Sequence, residues 1–109
     1  MGKKVNKEYE VTYETWCWNE DEELYCDGPF KEKKFSVGTL EEAKACIREF
    51  KLSHPKSKRE KIDYDETDPD MGILVQKCLC AQTWNYVDEE TKEKCQLEFT
   101  VFKVVTEMD

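Results

Sequence analysis

Over residues 8–14 polar and apolar side chains alternate without a break: Tyr9, Val11 and Tyr13 fall on one side, Glu8, Glu10, Thr12 and Glu14 on the other. A strand turns successive side chains to opposite faces, so this segment predicts a strand with one buried face. The strand is expected to continue through Trp18, turn over residues 19–23, and return through Tyr25 and residues 33–37, with Gly28-Pro29 interrupting the ladder. Residues 1–37 therefore read as a long, broken hairpin.

The period then changes. Thr39 followed three residues later by Glu42 is a capping box, and Leu40, Ala43, Ile47 and Phe50 recur at steps of three and four with Cys46 beside them. This predicts a helix over 39–54 with one apolar stripe. Glu41 and Glu42 suit the positive end of its dipole, Lys51 and His54 the negative end, and Pro55 stops it. Residues 55–71 show no periodicity and switch from basic (Lys56, Lys58, Arg59, Lys61) to acidic (Asp63, Asp65, Glu66, Asp68, Asp70), which reads as an exposed charged connection. A second hairpin is expected over 72–106, with Leu97, Phe99 and Val101 opposed to Glu98 and Thr100. The order β-β-α-β-β predicts a single α+β domain, a four-stranded, mostly antiparallel sheet with one helix packed on one face.

A chain of 109 residues is one domain's worth. Its 39% charged residues and mean hydropathy of -0.85 lean toward disorder, but 12% aromatics placed in the alternating stretches are enough for a core. The net charge of -8 disfavours direct binding to nucleic acid or to an anionic membrane, and favours a basic partner. No apolar run approaches the length of a membrane helix and no secretory leader is legible, so the expected location is the cytoplasm, a host's if the chain is phage-encoded.

Six scattered cysteines contain no C-x-x-C pair. They read as reduced apolar fillers, with a Cys17–Cys26 bridge across the first hairpin as the alternative and no metal site. One histidine, His54, sits where a helix end explains it; no nucleophile has a base beside it and no glycine-rich phosphate loop exists. The expectation is a protein that is not an enzyme and needs no cofactor. A basic helix face formed by Lys44, Arg48 and Lys51 is expected to be solvated.

One element occurs twice. Trp16 and Trp18 run into Glu20, Asp21, Glu22 and Glu23; Trp84 and Tyr86 run into Asp88, Glu89 and Glu90, at a spacing of 68. If Tyr9, Val11 and Tyr13 face the helix, Trp16 and Trp18 face away from it, and with Leu79 and Ala81 inward so would Trp84 and Tyr86. Four exposed rings beside acidic turns would form a partner-binding patch. The function this implies is a stoichiometric inhibitor that covers the basic surface of a nucleic-acid-handling protein by imitating nucleic-acid charge. Its size and acidity match small anti-defence proteins of phages and mobile elements, an analogy of composition only. The alternatives are a protein that stacks a nucleotide-like ligand on the aromatic patch and a homodimer joined through it.

Overall fold

The computed structural model describes residues 4–60, 65–68 and 73–108. Four long strands dominate: β1 (Lys4–Asn19), β2 (Leu24–Val37), β5 (Ile73–Val87) and β6 (Lys94–Met108). The helix α1 (Leu40–Ser53) follows β2, and two short strands, β3 (Lys58–Arg59) and β4 (Asp65–Asp68), precede β5. All pairings are antiparallel, in the order β2-β1-β6-β5, with β3 and β4 both on the outer edge of β5.

The sheet thus has five rows rather than the expected four, the fifth shared by two short segments. Part of the stretch 55–71 that reads as a free connection is edge strand: Lys58 pairs with Thr83, Arg59 with Gln82, and Asp65 with Lys77. The pairing is made by backbone groups that β5 would otherwise leave unpaired. Lys58 and Arg59 stay exposed, so no hydrophobic pattern marks this strand in the sequence.

The helix begins at the expected Thr39–Glu42 pair. Thr39 Oγ1 accepts from the Glu42 backbone N–H at 3.2 Å and donates to the Glu42 carboxylate at 3.0 Å. At its other end the His54 backbone N–H donates to the Phe50 carbonyl at 2.9 Å. Ala43 and Phe50 are buried, and Cys46 and Ile47 pack against the same core; Leu40, although in the stripe, overhangs the sheet and is exposed.

The core beneath the helix is Tyr9 and Val11 from β1, Phe99 and Val101 from β6 and Cys80 from β5. Phe50 stacks on Phe99 at 4.3 Å between centroids and 6° between planes, and Tyr13 meets Phe99 at 5.0 Å. The ring contacts continue along this face from Phe50 to His54 at 4.3 Å, from His54 to Trp84 at 4.9 Å, and from Trp84 to Tyr86 at 4.7 Å.

A strand of β1's 16 residues extends roughly 50 Å, whereas 14 residues of helix span about 21 Å. The helix therefore covers only the middle of its face. The molecule is correspondingly long, 58 × 31 × 23 Å, with a radius of gyration of 16.2 Å against about 13 Å for a compact chain of this length.

The outer strand β2 is irregular. Its register against β1 shifts three times between Tyr13 and Trp18. Gly28 adopts φ 139°, and a Cβ there would stand 2.8 Å from the Thr15 carbonyl oxygen, so the position admits no side chain without displacing backbone. Lys31, three residues on, is left-handed at φ 52°.

Candidate functional site

Both acidic turns lie at the same end of the sheet, because β1 and β6 are adjacent and Cys17, just before the first turn, is paired with Cys95, just after the second. The turns are built alike. In the first, Asn19 Oδ1 accepts from the Glu22 N–H at 2.9 Å, the Asn19 carbonyl accepts from the Glu23 N–H at 2.8 Å, and Glu23 is left-handed at φ 55°. In the second, Asp88 Oδ1 accepts from the Glu90 and Thr91 N–H groups at 2.9 and 3.0 Å. The Asp88 carbonyl accepts from the Lys92 N–H at 2.8 Å, and Lys92 is left-handed at φ 61°. These backbone donors hold the Asp88 carboxyl below its usual range.

Superposing the turns matches Asn19 with Asp88, 69 positions apart, not 68. That single residue decides where the aromatics go. In the frame of the turns Trp84 matches Thr15 and Tyr86 matches Cys17, while Trp16 and Trp18 match Asn85 and Val87.

Pairing agrees with this frame. Trp84 lies opposite Leu97 and Tyr86 opposite Cys95, on the helix side, where the Trp84 ring meets His54 edge-on. Trp16 and Trp18 alternate with Thr15 and Cys17 and emerge on the helix-free side. Trp18 packs against Tyr25 at 5.0 Å and lies 5.7 Å below the Lys94 ammonium. The expected four-ring cluster is therefore not formed. Its premise, Leu79 and Ala81 both facing inward, fails at a bulge: Cys78 pairs with Phe102 and Cys80 with Val101, so Leu79 is the extra residue and the alternation of β5 reverses beyond it. Rings split between two faces cannot all stack on one ligand.

The carboxylates of Glu20, Asp21, Glu22, Glu23, Glu89 and Glu90 are exposed, and Asp88 is half-buried by its turn. Acidic character continues along the helix-free face, a contribution the sequence pattern left unassigned. Glu14 lies directly opposite Glu98, and Glu98 opposite Thr83, which donates its hydroxyl to Glu60 at 3.2 Å. Glu10 is matched by Lys34 at 2.7 Å.

Burial pushes the Glu98 carboxyl above its ordinary value of 4.5, and Glu14 and Glu60 push the same way; the Trp16 indole draws it partly back. Trp16 Nε1 is buried without a hydrogen bond of good geometry, so its effect on Glu98 is that of a nearby dipole. Between the ordinary and the raised value the folded chain holds more protons than the unfolded one, so this group makes stability fall as pH rises. Glu98→Gln removes that dependence. In urea titrations the variant is expected to gain on the wild type as pH rises from about 4 to 7. Parallel curves across that range would show Glu98 to be an ordinary surface acid.

On the helix side, beyond the end of α1, an open groove of about 440 Å³ is lined by Thr15, Cys17, Phe30, Tyr86 and Cys95, with Lys31, Asp88, Glu90 and Glu93 around its rim. The Phe30 ring is 52% exposed. Tyr86 is raised by burial, opposed by a hydrogen bond from Thr15. The thiols of Cys17 and Cys95 are 3.7 Å apart.

All six cysteines are free thiols. The alternative of a Cys17–Cys26 bridge meets a register that pairs Cys17 with Asp27 and leaves Cys26 unopposed to it. Among the described residues no group of three His, Cys, Asp or Glu side chains is placed to hold a metal ion, and no helix is long and apolar enough to cross a membrane. Lys44, Arg48, Lys51, Lys56, Lys58 and Arg59 are exposed, and Lys61 lies outside the described residues.

No family model matches the chain, and comparison with the curated proteins and with the solved structures found no match.

Proposed function

We propose that this chain is a non-enzymatic binding protein that acts in stoichiometric amounts by covering a basic, nucleic-acid-binding surface of a partner protein. The observation that supports this reading most is the meeting of two acidic turns, far apart in sequence, at one narrow end of an elongated molecule. Folding gives no reason for such a concentration, since like charges brought together repel. Glu14, Glu60 and Glu98 extend the negative surface from that end along the helix-free face. A row of fixed carboxylates on a rigid sheet resembles a phosphate backbone in the one property a basic cleft reads without sequence information, its charge.

Such a partner would be steered by charge and anchored by large side chains at this end, Trp18 and Phe30 among them. The reading makes the chain and nucleic acid competitors. A protein captured from lysate on the immobilised chain should lose its DNA or RNA in a gel-shift titration as the chain is added, at near-equimolar ratio. A ternary complex of chain, partner and nucleic acid would refute the mimicry.

A further inference from the structure

We infer that Cys17 and Cys95 form a modification site, a dithiol that a small neutral or cationic disulfide converts to a cross-strand disulfide. Two independent features of the geometry support this. The residues are in register on the adjacent antiparallel strands β1 and β6, and residues so paired have Cα atoms about 4.5–5.5 Å apart, inside the range a disulfide spans. The sulfurs already touch at 3.7 Å, so rotation about the side-chain bonds can close the remaining gap to about 2.05 Å without moving the strands. Cys78 and Cys80, the closest pair in sequence, lack this arrangement, because the bulge at Leu79 sends them to opposite faces.

Access is asymmetric. Cys17 is half-buried at the floor of the groove, while Cys95 is 4% exposed and directs its thiol at the Glu93 carbonyl, 3.7 Å away. Cys17 is therefore the sulfur that meets the reagent and Cys95 the one that resolves. In the first step the Cys17 thiolate bonds to one sulfur of the disulfide RSSR, the S–S bond of the reagent breaks, and the departing thiolate takes up a proton as RSH. In the second, the Cys95 thiolate attacks Cys17 Sγ and releases the second RSH. Two protein thiols are oxidised, one disulfide is reduced to two thiols, and the two thiol protons leave on them.

The rim selects the reagent. Asp88, Glu90 and Glu93 outnumber Lys31 around the groove, so a dianionic reagent such as oxidised glutathione is repelled and a dicationic one such as cystamine is attracted. Burial, Cys95 and Glu93 together push the Cys17 thiol up to about 11, which makes the thiolate scarce at neutral pH. Formation is consequently slow and accelerates with pH, and a thiolate that leaves poorly makes the bond resistant to reduction once closed.

The test treats the reduced full-length chain with cystamine or with oxidised glutathione, quenches with acid, and reads intact mass and the linked peptides. The expected product has lost two hydrogens and yields a Cys17–Cys95 peptide, and cystamine acts about tenfold faster or more at low salt, the advantage shrinking as salt is raised. Cys95→Ser should stop at a single adduct on Cys17. A chain that stays reduced, a bond mapped to any other pair, or equal rates for the two reagents at low salt would overturn the assignment. Peptide mapping of the unmodified sequence decides the pairing even if a variant folds poorly.

Discussion

Replacing Phe99 by alanine is expected to cost about 3–5 kcal/mol, a large share of the roughly 5–15 kcal/mol that holds a domain of this size folded at 25 °C. Phe99 is wholly buried, with Phe50 stacked on one side and Tyr13 against it, and these contacts are what hold the helix to the sheet. Two features enlarge the loss. The helix contributes only Ala43 and Phe50 as fully buried side chains, so little else would keep α1 in place. Aromatic pairs at such distances also contribute beyond the area they bury. Urea unfolding followed by tryptophan fluorescence checks this, with Leu52→Ala as the reference: Leu52 is 83% exposed and its removal should change stability by no more than about 0.5 kcal/mol. A Phe99→Ala loss under about 1.5 kcal/mol would mean that helix and sheet are held elsewhere. The double variant with Phe50→Ala should lose less than the sum of the singles, since the two rings share one contact.

The largest effect on binding is expected from reversing charge at both turns, with Glu20, Asp21, Glu22 and Glu23 together with Glu89 and Glu90 changed to lysine. Asp88 is left in place because its carboxylate closes the turn through two backbone hydrogen bonds. Lysine at position 23 is compatible with the left-handed backbone there, for Lys92 holds the matching place in the other turn. The substituted side chains are exposed, so thermal unfolding should move little. Affinity for the captured partner should fall by about two orders of magnitude or more at low salt, mostly through slower association. Each turn reversed alone should give an intermediate loss. Unchanged affinity in calorimetry with the full reversal would place the partner's contact away from this end.

The helix was open to reading from sequence because its signals are local: Thr39 and Glu42 cap it, and its apolar steps fall within four residues of each other. The alternation of β1 and β6 was equally plain, one face of each being buried. What escaped was set by distant partners. β3 and β4 exist because β5 needed backbone partners at its edge, a demand that no side-chain pattern announces. The faces of Trp84 and Tyr86 turned on one extra residue, Leu79, and a bulge leaves the composition of a strand unaltered. The juxtaposition of Cys17 with Cys95 required the register between the first and last strands, the longest-range pairing in the fold. The residues of the acidic turns could be named in advance, yet their convergence followed only from the adjacency of β1 and β6.

The rough outline of β2 bears on how this molecule survives at high concentration. A straight fourteen-residue border with vacant amides would recruit another chain, and then another, into a growing fibre. Proline at 29 withholds a donor, Gly28 and Lys31 bend the border out of line, and Lys31 and Lys33 would bring like charges together in any neighbour laid alongside. The same kinks that blur the hairpin in the sequence thus make this border a poor template for a further strand.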